Sequence, residues 1–141
     1  MDLILWRHAD AEDGRPDLER ELTRQGRKQA AAVAKWLLKR LPQDFAVVSS
    51  PAVRARQTAE ALGKPVQIDN LLAPGASVQV FSKYSRLEEA IVLVGHQPDL
   101  GEALAYLVTG RGAGWRLQKG ALWWLAEEPL IVKAVVSPDL L

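Results

Sequence analysis

The sequence predicts an α/β protein: a three-layer sandwich with a mostly parallel central sheet flanked by helices on both faces. Short apolar runs recur along the chain, and such runs are typical of strands that are buried on both faces. Segments in which apolar residues recur at helical spacing separate these runs. This alternation of strands and helices favours a parallel sheet with helices on both sides. The length of 141 residues fits one domain, residues 1–141.

The composition is ordinary for a soluble globular protein, with 48% hydrophobic and 25% charged residues. A formal net charge of +1 gives no electrostatic reason to expect a nucleic acid or an anionic membrane as partner. The chain has no cysteine, which excludes disulfides, thiolate catalysis and cysteine-based metal sites. It shows no signal-peptide pattern and no apolar stretch near the ~20 residues that span a bilayer. We therefore expect a soluble, cytoplasmic protein.

The beginning of the chain predicts a strand, a loop and a long helix. Apolar residues 3–6 form the strand, and polar residues 10–21 form the loop. Thr23 is the predicted N-cap of a helix at 24–40, which Pro42 ends. Basic residues lie mostly outside the apolar stripe of this helix: Arg27, Lys28, Lys35 and Lys39. We interpret this basic face as solvated surface, and the alternative is a docking face.

The remainder predicts further strands and helices in alternation. Residues 45–48 form a strand, Ser50 and Pro51 are the predicted N-cap and first residue of the next helix, and Gly63 closes that helix. The other predicted elements are a strand at 65–68, a loop at 71–75, a helix at 77–90 with Leu87 facing inward, a strand at 91–94, a helix at 99–108, and strands at 121–126 and 130–136. We expect the last two strands to form a hairpin across a turn at 127–129.

Polar side chains follow three of the predicted strands. Arg7 and His8 come directly after the first strand, and His96 follows the strand at 91–94. Arg54 falls in or near the first turn of the helix after the second strand, where free N–H groups and the helix dipole favour phosphate. Because open α/β sheets bind ligands at the carboxyl ends of their strands, we expect these side chains to share one pocket.

Two arginines and two histidines in one pocket suit phosphoryl transfer. A guanidinium group binds phosphate oxygens with two parallel hydrogen bonds. An imidazole has an ordinary pKa of ~6.5, so a neutral, nucleophilic form is available near neutrality. The reaction depends mainly on positioning and charge neutralisation, which arginine and imidazolium supply without magnesium. We therefore predict no cofactor.

Each of these residues has a simpler explanation when taken alone. An Arg-His dipeptide occurs by chance, a histidine after a buried strand is often a structural hydrogen-bonding group, and Arg54 could simply lie at the surface. The two histidines could also bind zinc together with Asp10, but the chain lacks helical ligand spacing such as His-Glu-x-x-His. We therefore predict no metal site. The same position after three strands favours a common functional site.

Four segments of the chain resemble the motifs of the histidine phosphatase superfamily, the phosphoglycerate-mutase-like fold. In the family's order they are Arg7-His8-Ala9, Leu22-Thr23-x-x-Gly26-x-x-Gln29-Ala30, Ser49-Ser50-Pro51-x-x-Arg54-Ala55-x-Gln57-Thr58 and Gly95-His96-x-Pro98. They extend over most of the chain. The short length is similar to the SixA branch of that superfamily, the protein phosphohistidine phosphatases.

The resemblance implies roles for five residues. His8 would be the nucleophile and would become phosphohistidine, while Arg7, Arg54 and His96 would hold the phosphoryl group. Arg20 matches a further arginine of the SixA pattern and would contact substrate. The implied partner is a protein that carries phosphohistidine, such as a phosphotransfer domain of a signalling relay.

Two departures from the family pattern bear on the substrate. Ala9 replaces the glycine of the first motif. Residues 69–90 have room for one helix where many relatives carry an insertion with an acidic proton donor, so that Asp10 is a candidate acid only by proximity. An open site without a strong acid favours phosphohistidine over a phosphate ester, because an alkoxide needs a proton donor to leave. The alternatives are a small-molecule phosphomonoesterase and a non-catalytic phosphate-binding module.

Overall fold

The computed structural model describes residues 1–127 and 130–141. The strands are β1 (Asp2–Arg7), β2 (Phe45–Ser49), β3 (Val66–Ile68), β4 (Ala90–Gly95), β5 (Leu122–Ala126) and β6 (Ile131–Val136). The helices are α1 (Arg24–Leu38), α2 (Val53–Glu60), α3 (Val78–Ser85) and α4 (Asp99–Thr109). Short 3-10 helices lie at Asp17–Glu19, Asn70–Leu72 and Pro138–Leu140. Among the described helices, none is long and apolar enough to cross a membrane.

The six strands form one mixed sheet in the order β3-β2-β4-β1-β5-β6. The first four in this order pair in parallel, and β5 and β6 are added antiparallel at one edge. The mostly parallel sheet is as predicted, and so is the pairing of the last two strands. Of the predicted turn at 127–129, Glu128 and Pro129 lie outside the described residues.

Strand β1 shows how the two faces of the sheet are covered. Its side chains alternate in direction, so that Ile4 and Trp6 pack in one apolar cluster and Leu3 and Leu5 in another. The first cluster includes buried residues of α1 and α2, and the second includes buried residues of α3 and α4. Helices therefore cover both faces, which confirms the three-layer sandwich.

Two predicted helix boundaries were wrong. Helix α2 begins at Val53 with Ala52 as its N-cap, because the Ser50 hydroxyl accepts the Ala52 N–H outside the helix and also contacts His96. The helix predicted at 77–90 ends at Ser85. Its expected inward residue Leu87 is 40% exposed, so that no packing against the sheet extends the helix to β4.

The second motif fastens the amino end of α1 to the loop that follows β1. The Thr23 hydroxyl accepts the Gly26 N–H, which confirms the predicted N-cap, and donates to the Asp10 carboxylate at 2.8 Å. A Cβ at Gly26 would lie 2.0 Å from the Asp10 carbonyl oxygen, so only glycine allows this approach. The Gln29 side chain accepts the Asp10 N–H at 2.9 Å. This motif thus positions the segment directly after His8.

Candidate active site

The structure brings all five predicted site residues together at the carboxyl ends of three parallel strands. Arg7 at the end of β1 pairs in register with Gly95 of β4, and Ser49 of β2 pairs with Val94. A cavity of about 280 Å³ opens at this edge. Its lining residues are Arg7, His8, Ala11, Asp13, Arg20, Arg54, Pro74, His96, Gln97 and Lys119.

The His8 ring is fixed in one orientation by its own backbone and by β4. Its backbone N–H donates to the Gly95 carbonyl at 3.0 Å, and its Nδ1 lies 2.7 Å from the Ala9 carbonyl oxygen. A carbonyl oxygen can only accept, so Nδ1 carries the proton. In the neutral ring, Nε2 then has the free electron pair. The side chain is 7% exposed and lines the cavity, so Nε2 is the nitrogen that can attack a phosphorus atom.

Both histidines are held neutral by their surroundings. Burial is the largest cause that lowers the pKa of His8, the Ala9 carbonyl opposes it, and the nearby arginines lower it further, to about 4. Burial lowers the pKa of His96 to about 3, with contributions from His8 and Arg54, which outweigh the opposite effect of Asp17. A neutral imidazole is the nucleophilic form, so the cavity keeps His8 reactive at neutral pH.

We expect neither histidine to take up a proton between pH 8 and pH 5. A histidine NMR titration can follow both rings, because the chain has only two histidines. The unfolded chain binds these protons near pH 6.5, so the free energy of unfolding should fall as the pH drops from about 6.5 towards 4. A midpoint near 6.5 for His8 would contradict the burial and charge environment described above.

His96 faces His8, with ring centroids 5.2 Å apart, and it also contacts a buried serine. Nε2 of His96 lies 2.7 Å from the Ser50 hydroxyl, which accepts the Ala52 N–H at 3.1 Å. The hydroxyl proton of Ser50 has no other acceptor among the described residues, so it is donated to Nε2. The proton of the neutral His96 ring then lies on Nδ1. Ser50 therefore sets which nitrogen of His96 donates a hydrogen bond.

In Ser50→Ala the proton of the His96 ring should no longer be fixed on Nδ1. We expect kcat to fall about tenfold, because the loss of one hydrogen bond to a positioned group costs about 1–1.5 kcal/mol. The ¹⁵N chemical shifts of His96 would show the proton redistributed between Nδ1 and Nε2. Ser49→Ala is the matched control, since Ser49 is also fully buried but donates to the Ser50 carbonyl and does not contact His96. Equal effects of the two variants would contradict the role of Ser50.

The three arginines are held by the chain around the cavity. Arg54 is 4% exposed and donates to the backbone carbonyl of Asp17 at 2.8 Å and to its carboxylate at 3.1 Å. Arg20 donates to the same carboxylate and to the Glu12 carbonyl. Arg7 donates to the Leu117 carbonyl at 2.8 Å. These contacts fix the position at which each guanidinium group can bind an anion.

Some buried nitrogens at the cavity have no hydrogen-bond partner within residues 1–127 and 130–141. They are Nε of Arg7, Nε of Arg54 and Nδ1 of His96; a fourth, Nε of Arg56, belongs to a residue that does not line the cavity. Buried polar groups are normally hydrogen-bonded, so unpartnered groups beside one cavity indicate a ligand that accepts hydrogen bonds. A phosphoryl group has this chemistry.

Sequence reasoning missed two further contributors, Asp17 and Lys119. Asp17 binds Arg54 and Arg20 from a short 3-10 helix in a segment with several acidic residues, so no spacing distinguished it. Burial acts to raise the pKa of its carboxyl, but the hydrogen bonds and charges of the two arginines outweigh this and lower it. Lys119 lines the cavity from the distant segment before β5 and carries no motif.

The structure argues against Asp10 as the proton donor. Its carboxylate accepts hydrogen bonds from Thr23 and from Lys119, and Asp10 does not line the cavity. These hydrogen bonds, that of Thr23 first, lower the pKa of the carboxyl. A carboxyl group with a lowered pKa is ionised at neutral pH and cannot donate a proton.

The two departures from the family pattern are accommodated by the fold. The Ala9 side chain is fully buried in the apolar cluster below α1 and α2, and its N–H donates to Thr58, so the extra methyl group does not enter the cavity. The segment 69–90 holds one α-helix, as expected. Its contribution to the cavity wall is Pro74, and the next two residues donate their N–H groups to the buried Asp99 carboxylate.

Taken together, the fold and this cavity define an α/β protein with an arginine–histidine site for an anion at the carboxyl ends of its strands. The model of the histidine phosphatase superfamily (branch 1) matches residues 3–75. The chain belongs to the histidine phosphatase superfamily, and its activity class is that of a phosphatase.

Relatives and solved structures agree with this membership. An uncharacterised protein of Picosynechococcus sp. is 40% identical over 126 residues, which cover 78% of this chain and 76% of that protein. The protein histidine phosphatase SixA, in complex with tungstate, has the same fold with a TM-score of 0.87 at 24% identity over 99% of both chains. A protein named SixA from Nakamurella multipartita gives a TM-score of 0.78 at 27% identity over 97% of this chain and 95% of that chain.

Proposed function

We propose that this phosphatase removes phosphoryl groups from phosphohistidine on a protein, through a phosphohistidine intermediate on His8. The observation that carries the proposal is the open cavity that combines a neutral, oriented nucleophile with arginines, while the nearby carboxylates of Asp10 and Asp17 are bound by other side chains. The SixA names of two similar structures support the same substrate class. The partner would be a protein such as a phosphotransfer domain, and the proposal involves no metal or cofactor.

The reaction follows from the geometry in two steps. Nε2 of His8 attacks the phosphorus atom, the bond to the substrate nitrogen breaks, and the phosphoryl group moves to His8. Water then attacks the phosphorus atom of the intermediate, which releases phosphate and restores the neutral imidazole. Arg7, Arg54 and the Nδ1–H of His96 would stabilise the charge on the three equatorial oxygens in both steps.

The choice of phosphohistidine rests on the leaving group. The imidazole of the substrate can take up a proton from water on the nitrogen away from phosphorus and then leave as a neutral ring, whereas an alkoxide needs an acid at the oxygen. Asp10 does not line the cavity, and the carboxylate of Asp17 is bound to two arginines. An open cavity without an inserted lid also admits a side chain that is presented on a folded protein.

The alternative is a phosphomonoesterase that acts on a small molecule. Asp13 favours it, since this exposed side chain carries a carboxyl group and lines the cavity. A phosphoserine phosphatase mutant from Entamoeba histolytica also has this fold, with a TM-score of 0.76 at 16% identity over 99% of this chain and 98% of that chain. The non-catalytic alternative is disfavoured, because binding alone does not require an oriented nucleophile.

The test compares rates on a phosphotransfer domain that carries phosphohistidine with rates on a panel of phosphomonoesters. We expect rapid loss of phosphate from the protein and slow hydrolysis of every ester. Asp13→Asn should leave the phosphohistidine rate unchanged, since that reaction does not use an acid at the leaving atom. Efficient hydrolysis of one ester that is lost in Asp13→Asn would establish the alternative instead.

A further inference from the structure

A second, larger groove adjoins the catalytic cavity. It has a volume of about 820 Å³ and lies between helix α1, the segment 116–119 and the end of the chain at 138–141. Its lining residues are Arg7, Gln25, Lys28, Gln29, Ala32, Arg116, Leu117, Gln118, Lys119, Pro138, Asp139 and Leu141. The mechanism above uses none of these residues except Arg7.

The groove and the cavity are continuous. Arg7 and Lys119 line both of them, so that a molecule bound in one lies directly beside the other. Arg116 lines the groove together with Arg7, and after burial its charge is the next cause that lowers the pKa of the Arg7 guanidinium. A phosphohistidine that enters the cavity therefore brings the neighbouring surface of its carrier protein against this groove, because a histidine side chain is short.

The charge of the groove is unlike that of the whole chain. Four of the lining side chains are basic, and Asp139 is the one acidic side chain among the described lining residues. The chain as a whole carries a formal charge of only +1. Lys28 and Arg116 are exposed and form no ion pair within the part of the chain that the structure describes. Their charges are thus available to a partner.

The lining offers many hydrogen-bonding and charged groups to a partner. Eight of the twelve lining side chains are charged or carry an amide. Complementary charge at the rim of an interface steers association and fixes the orientation of the partner. Glutamine amides beside the cations can bind carboxylates and backbone groups alike.

We propose that this groove binds an acidic surface of the protein that carries the phosphohistidine, with carboxylates of that protein against Lys28 and Arg116. This inference rests on the proposed function. It replaces, for Lys28, the interpretation of the basic face of α1 as solvated surface. The groove would orient the carrier so that its phosphohistidine enters the cavity beside Arg7.

Charge reversal in the groove tests the inference. The protein substrate is a phosphorylated phosphotransfer domain with an acidic surface. We expect Lys28→Glu to raise KM for this substrate about tenfold, with little change in kcat. The rate on phosphoimidazole, a small substrate that cannot reach the groove, should be unchanged. Lys35→Glu is the matched control, since Lys35 is an exposed lysine of the same helix that does not line the groove.

The outcomes separate this inference from the proposed function. If the wild type hydrolyses the protein substrate and Lys28→Glu behaves like Lys35→Glu, the groove does not bind the carrier and the inference fails alone. If the wild type hydrolyses phosphomonoesters but not the protein substrate, the proposed function fails and the inference falls with it. Added salt should raise KM of the wild type more than KM of Lys28→Glu, because the variant has lost an attractive charge.

Discussion

His8→Ala should lower kcat by about 10³-fold or more on every substrate, because the other histidine of the cavity, His96, has its Nε2 electron pair bound by Ser50 and its Nδ1 protonated. The His8 ring is fixed by the Ala9 carbonyl and kept unprotonated by burial and arginine charge. Steady-state rates on phosphoimidazole and on a phosphorylated protein measure the effect. The covalent phosphate that the wild-type enzyme carries on His8 during turnover should be absent from the variant.

The control for His8→Ala is the integrity of the fold. The His8 ring is buried, so the variant must show the thermal unfolding transition of a folded protein before its rate is interpreted. Phosphate binding should survive, since the arginines keep their contacts to Asp17 and Leu117. A folded His8→Ala variant with the rate of the wild type would remove His8 from the mechanism.

The second large effect should come from Arg54→Lys, which keeps the charge but removes the guanidinium fork. We expect kcat/KM to fall about 10²-fold, as for the loss of one donor that stabilises transition-state charge. Arg54 is buried, and two of its nitrogens are bound to Asp17, so a lysine cannot reproduce its position. Arg20 should keep its own ion pair with Asp17 in this variant.

Arg56→Lys is the matched control for Arg54→Lys. Arg56 lies two residues further along α2 and does not line the cavity. Its conversion to lysine should leave kcat/KM within about twofold of the wild type, in line with other substitutions away from the site. Equal losses in the two variants would point to damage of α2 rather than to a role of Arg54 at the phosphoryl group.

Sequence reasoning reached the fold class and the meeting point of the motifs because both follow from local patterns. The apolar runs that became β1, β2 and β4 carry their polar residues at the carboxyl ends, and parallel pairing brings those ends together. The cap at Thr23 was readable from residue type and spacing. Such features need no knowledge of distant parts of the chain.

What the sequence did not reveal depends on contacts between distant segments. Asp10 is next to the site in sequence, but its carboxylate is bound by Thr23 and by Lys119, which lies more than a hundred residues away. Ser50 is of a residue type typical of an N-cap, but its hydroxyl contacts Nε2 of His96 instead. The basic groove is lined by α1 and by the segment around Arg116, and no local spacing predicts that these distant segments lie together.

The most direct test of the account is to look for the phosphoryl group on His8 during turnover. The enzyme would be mixed with a phosphohistidine-bearing protein, and the reaction would be stopped with alkali within milliseconds. Alkali is used because the phosphorus–nitrogen bond survives alkali but not acid. The products would be examined by mass spectrometry and ³¹P NMR. We expect phosphate on Nε2 of His8, since Nδ1 carries a proton that is hydrogen-bonded to the Ala9 carbonyl. Hydrolysis with no covalent phosphate, or with phosphate on His96, would contradict it.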